Sequence, residues 1–291
     1  MIRHVIFSLS VILAAAMSWK PLSDLFNSSL YRDYHSLIPF IPFISVYLIY
    51  SKRQFIYSEK AYSFIVGLTV MIAGSVLYLA GRQNAVNFNQ TDYASFVTLS
   101  AVIFFWGAFI FAYGKQAFEK ALFPLLFLVF VIPMPVSVMN RLISFLQIGS
   151  TEFTNMLIVI SGVPFLREGF VFHLPGQSVE VARECSGIRS GLALFITALL
   201  AGHLFLNTWW RRVLFALLAI PMTMFKNGIR ITTLTLLGTY VDPRILQSSL
   251  HREGGIPFFI VALLLMAPIL FFLRKTEKAR RQEENIGDRE T

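Results

Sequence analysis

Three short stretches concentrate the polar chemistry of this sequence. RECSGIRSG, residues 183–191, carries Cys185, the only cysteine of the chain. A cysteine used for packing has apolar neighbours, but this one stands among Arg183, Glu184, Ser186, Gly187 and Arg189. Ser186-Gly187 reads as a turn or a helix start, and Arg189 shares a face with Cys185 if the helix begins near the thiol. A thiol at a helix N-terminus beside guanidinium groups holds more of its nucleophilic thiolate. The second stretch, MFKNGIRITT, sets Lys226, Asn227 and Arg230 on one side of an otherwise apolar helix, at spacings of three and four. Charges at membrane depth are expensive, normally face a polar interior, and mark function. The bland alternative is snorkelling of the two cations to the interface. The third stretch, SSLHREGG, places His251 just before the last apolar run, with glycines that let the loop fold inward.

Brought together, a thiol, an imidazole and a guanidinium make a nucleophile site. The imidazole serves as base or imidazolium partner and later protonates a leaving amine. The guanidinium stabilises an oxyanion or orients substrate. The logic is that of a catalytic triad, recognised by roles and not by chain order.

The elements that must position these residues are membrane helices. The 291 residues are 56% hydrophobic and only 14% charged, with 29 phenylalanines. Apolar runs of about 17–25 residues cross the hydrocarbon core as helices. The sequence predicts an all-α polytopic membrane protein with about eight spans, near 5–19, 36–50, 61–80, 94–113, 121–138, 190–206, 213–237 and 256–273. A single membrane domain thus covers 1–273, and a basic, charged tail of 274–291 reads as a fraying helix end. One cysteine excludes an internal disulfide framework and a cysteine-based zinc cluster, and no metal or cofactor is implied. The net charge of +9 gathers in short loops and the tail, so it speaks for membrane topology and not for nucleic acid.

Short loops rich in Lys and Arg (51–60, 114–120, 207–212 and 274–281) belong on the cytoplasmic side. Counting back from the tail puts 238–255 and the Cys185 segment on the outer face, with both termini inside. Counting forward, parity then requires 141–162 not to cross. Leu142, Leu146, Phe153, Met156 and Ile160 recur at helical spacing opposite Arg141, Ser144, Gln147, Thr151 and Thr154, so 141–162 reads as an interfacial amphipathic helix, or as a re-entrant one. In 169–182, alternation on both sides of Pro175-Gly176 predicts a small outer β-hairpin with a type II turn, packed on the helices and leading to the cysteine.

ECSGIRS, NGIRI, a late histidine, the hairpin segment GFVFHLPGQSVEVA and eight spans together resemble the exosortase/archaeosortase family of integral membrane transpeptidases, over nearly the whole chain. The resemblance implies Cys185 as nucleophile, Arg230 as the essential arginine and His251 as third member. Asn227 would be supporting, and Arg183, Glu184, Arg189 and Lys226 lie where they could assist or bind substrate. YRDYHSLIPFIPF (31–43) resembles an early tyrosine–histidine element of the family, which brings in His35. Histidine at the third position favours the bacterial branch, in the cytoplasmic (inner) membrane. The fused soluble domain of some bacterial members is not expected after the last helix.

The implied partners are the lipid bilayer, secreted proteins anchored by a C-terminal sorting signal of the PEP-CTERM type, and an unknown amine acceptor. The implied reaction cleaves that signal through a Cys185 thioester and transfers the protein to the amine. A membrane cysteine protease using water fits the same residues. A transporter or polysaccharide-export component fits the intramembrane Lys226 and Arg230, and would leave Cys185 dispensable.

Overall fold

In a bilayer, backbone amides must find their partners within the segment or within a closed barrel, so long apolar runs fold as helices. The computed structural model describes residues 2–27, 37–57, 63–242, 244 and 255–290, leaving aside the side chains of 2, 25, 26 and 280–290. In chain order the helices are α1 (Ile2–Asn27), α2 (Phe40–Ser51), α3 (Arg53–Ile56), α4 (Phe64–Gln83), α5 (Gln90–Tyr113), α6 (Lys115–Lys120), α7 (Leu122–Phe127), α8 (Val136–Ser161), α9 (Ile188–Phe205), α10 (Trp209–Tyr240) and α11 (Gly255–Glu290). The protein is an all-α polytopic membrane protein with one small sheet. Among the described residues seven helices, α1, α4, α5, α8, α9, α10 and α11, are long and apolar enough to cross a membrane.

Three predicted elements differ from this architecture. The run 36–50 folds as α2, whose 12 residues extend about 18 Å, short of a hydrocarbon core of about 30 Å. The run 121–138 is broken into α7, a 3-10 turn, Leu128–Val131, and the first residues of α8. Pro133 and Pro135 follow the turn at once, and proline cannot continue the amide ladder. The third difference concerns 141–162, expected to lie in the interface. It belongs to α8, 26 residues long, and its polar face is turned inward. Gln147, Ser150, Thr151 and Thr154 are buried, whereas Phe145, Ile148, Met156, Val159 and Ile160 are exposed. An interfacial helix would show its polar side to water; this one shows apolar side chains outward, as a lipid-facing helix does.

The described residues group into two compact units, 1–139 and 140–291. In the first, α4 and α5 approach closely along Gly67, Gly74 and Gly81, seven residues apart and all buried. A Cβ on Gly74 would stand 2.7 Å from the Phe104 amide nitrogen, which is the small-residue packing that membrane helices use in place of a hydrophobic drive. Ile56, Phe109, Ala112, Tyr113, Ala117, Ala121 and Leu125 form its apolar core.

In the second unit α9, α10 and α11 meet through Leu194, Ala198, Phe215, Ala219, Ala262 and Met266. The α9–α10 connection is held by α11: the buried Glu277 carboxylate accepts from the Asn207 amide at 3.0 Å and from the Thr208 amide and hydroxyl. Arg211 in turn donates to the Leu273 carbonyl and to Thr276 Oγ1. The expected hairpin is present as β2 (Val171–Leu174) and β3 (Gln177–Glu180), preceded by a further strand, β1 (Leu166–Glu168), in the antiparallel order β1-β2-β3. Gly176 takes the φ of +88° that its turn position needs. The extra strand follows from Gly169, whose φ of +61° closes the first turn.

The sheet is seated on the helices. Phe172, Leu174 and Val181 pack with Ile158 of α8 and Ile231 of α10, Gln177 donates to the Thr235 carbonyl, and Arg167 makes a bidentate pair with Glu152. Phe172 is 1% exposed and Phe170, expected on the same face, is 38% exposed. Phe172→Ala should therefore cost roughly 3–5 kcal/mol, lowering the thermal unfolding midpoint in detergent, while Phe170→Ala leaves it nearly unchanged.

Candidate active site

Cys185 ends a 3-10 turn, Arg183–Cys185, two residues before the N-cap of α9. The turn engages the amides around the thiol: Cys185 N–H donates to the Ala182 carbonyl at 2.9 Å and Ser186 N–H to the Arg183 carbonyl at 3.1 Å. Neither amide is free to meet an oxyanion, so that task falls to other donors. Gly187 is the N-cap of α9, left-handed at φ +76°, and supplies no side-chain cap to the first α9 amides. Since the helix begins only at Ile188, the four-residue spacing from Cys185 to Arg189 is not a helical one, contrary to expectation. Arg189 instead stands exposed in the first turn of α9.

The opposing wall is α10, and the polar residues that break its apolar pattern turn toward the cysteine segment. Asn227 is 1% exposed, and its Nδ2 donates to the Cys185 carbonyl at 2.6 Å and to Ser150 Oγ of α8 at 3.1 Å. Lys226 is 2% exposed and its Nζ donates to Ser190 Oγ. It is therefore enclosed by protein, not snorkelling. The half-buried Arg230, one turn further on, lies within electrostatic range of both Lys226 and the Cys185 thiol. Contrary to the expectation of an enriched thiolate, burial pushes the Cys185 thiol up; the Arg230 guanidinium offsets this in part and Glu184 adds to it.

A buried glutamine completes the frame. Gln147 Nε2 of α8 donates to the Val181 carbonyl at 2.7 Å, fixing the strand exit just before the cysteine. Arg183 donates to Asn140 Oδ1 at 2.9 Å. Cys185, Glu184, Asn227, Lys226 and Arg230 are thus brought together, while Arg183 and Arg189 occupy the exposed rim. His251 and His35 lie outside the described residues. Ser150 and Ser190 were not singled out in the sequence. Ser150 shares the 147–151–154 face of α8, and taking that polar stripe as inward-facing is the signal that finds it.

Fold and site define a polytopic membrane protein organised around one thiol and two cations buried or half-buried at helix depth. The family model described as transmembrane exosortase (Exosortase_EpsH) matches residues 28–268. The chain belongs to that family and is a membrane protein-sorting enzyme of the exosortase type. No curated protein and no solved structure matches it.

Gly187 is constrained twice. Its left-handed φ costs an L-residue about 1–2 kcal/mol, and a Cβ there would stand 3.0 Å from Asn227 Cγ. Gly187→Ala should both destabilise the protein and slow alkylation of Cys185 by iodoacetamide. Gly169→Ala has the same kind of positive φ but open space around the Cβ. It should show the loss of stability without the loss of labelling.

Proposed function

We propose that the protein cleaves a C-terminal sorting signal of membrane-anchored secreted proteins and transfers them to an amine acceptor, with Cys185 as the nucleophile. The observation that carries this reading is the Cys185 turn held by Asn227 of α10, within electrostatic range of the Arg230 guanidinium one helical turn on. Cys185 Sγ attacks a backbone carbonyl at the start of the signal, and Arg230 balances the charge that develops on its oxygen. The C–N bond then breaks, the leaving amine takes up a proton, and the protein remains as a thioester. An acceptor amine attacks that thioester, forms the new amide and returns the thiolate. His251 is the proton carrier that the family pattern assigns, and Asn227 keeps the nucleophile's own carbonyl engaged.

Orientation follows from charge and length. Trp209, Trp210, Arg211 and Arg212 open α10, and Asn227 lies sixteen residues beyond Arg211, about 24 Å along the helix axis. With the basic end of α10 in the cytoplasm, the thiol sits near the outer face of a bacterial inner membrane and the tail after α11 is cytoplasmic. A substrate tail anchored by its own basic end would present the motif before its helix at that level.

A membrane-anchored reporter carrying a Pro-Glu-Pro-type tail tests the reading. Wild type shortens it and Cys185→Ala leaves it full length. Arg230→Ala lowers the cleavage rate by about a hundredfold or more. A product heavier than the hydrolysed fragment by the mass of an amine less one water establishes transfer, while the hydrolysed mass makes the protein a membrane protease. Equal cleavage by wild type and Cys185→Ala would remove the cysteine from the chemistry.

A further inference from the structure

Two consecutive α10 residues reach the same short turn, and only one of them is accounted for by holding the nucleophile directly. Asn227 takes the Cys185 carbonyl. Lys226, almost wholly enclosed, donates to Ser190 Oγ, and that hydroxyl donates in turn to the Gly187 carbonyl at 3.2 Å. Lys226 therefore reaches the far end of the Cys185–Gly187 turn through one serine. A serine hydroxyl can accept and donate at once, and donation from a charged group strengthens the bond it makes.

A lysine enclosed at this depth carries a large desolvation penalty and is retained where it does something. Packing alone would be served better by methionine or leucine of similar volume. The direct partner of Lys226 is Ser190, whereas Arg230 and Glu184 are the charges that act on the Cys185 thiol. The contacts of Lys226 are Ser190 and, through space, Arg230 one helical turn away.

We infer that Lys226 and Ser190 are a positioning pair that fixes the Cys185–Gly187 turn against α10, and so sets where the thiol stands relative to Arg230. The inference rests on Cys185 being the reactive thiol of the proposed reaction. Asn227 anchors the start of the turn and the Lys226–Ser190 pair anchors its end. With both ends held, the thiol keeps its place relative to the guanidinium. The pair contributes to the rate of attack, not to the binding of the substrate tail.

Alkylation of Cys185 by iodoacetamide tests this in the intact protein without any sorting substrate, because the chain has one thiol. Lys226→Met and Ser190→Ala should each slow labelling by about fivefold or more, the loss of one hydrogen bond to a charged group. Ser190→Thr, which keeps the hydroxyl, should restore it. The Lys226→Met/Ser190→Ala double variant should be no slower than the slower single variant, as expected for two members of one path.

In the reporter assay the same variants should lower kcat while leaving KM within about twofold. Wild-type labelling by Ser190→Ala would overturn the inference. So would Lys226→Met losing labelling only in step with its unfolding temperature while Ser190→Thr fails to rescue. If the labelling pattern holds but wild type cuts no reporter, the positioning pair stands and the sorting reaction falls.

Discussion

One amide inside one helix sets the terms for the rest of the second unit. Asn227 lies in the middle of α10, where a buried polar group without partners would cost about 1–3 kcal/mol, and its Nδ2 is satisfied by the backbone of the cysteine turn and by a serine of α8, while its Oδ1 is buried without a hydrogen-bond partner among the described residues. Three segments distant in sequence must therefore meet at its side chain. The turn cannot move off α10 without leaving a buried donor empty, and α8 cannot withdraw without doing the same. Gly187 has to be glycine because the chain passes left-handed against this side chain. The small sheet is then the strap that delivers the chain to the required point, with Gln147 and Gln177 gripping its two ends.

Much of this was legible because charge and amide groups are so conspicuous in an apolar chain. Lys226, Asn227 and Arg230 announced a shared helical face by spacing alone, and Pro175-Gly176 announced the hairpin by its turn chemistry. What spacing could not convey is which way a face points. The stripe Gln147, Thr151, Thr154 was visible, but amphipathicity has no sign until the surroundings are known: in water the polar side faces out, whereas within a bilayer it faces in. The same ambiguity hid Ser150. The lengths of 36–50 and 121–138 failed for a simpler reason. Hydropathy averages over prolines, but the helix does not, and each proline removes a donor that nothing in lipid can replace.

Arg189 illustrates a further limit. Its distance from Cys185 in sequence has meaning only if both lie in one helix, and a left-handed residue between them breaks the phase. Pairs within α10, by contrast, were read correctly because no glycine or proline separates Lys226 or Asn227 from Arg230 in a conformation that departs from the helix.

The carboxylate of Glu277 bears on how the two ends of this unit communicate. It takes the amides of the short link between α9 and α10 while belonging to the helix that runs on into the tail. Helix α9 starts two residues beyond the N-cap-adjacent Ser186 and ends at that link, so it behaves as a rod fixed at one end near the thiol and at the other by Glu277. The start of the tail and the α9–α10 link thus share one anchor, and neither can part from the other without stranding the Asn207 and Thr208 amides.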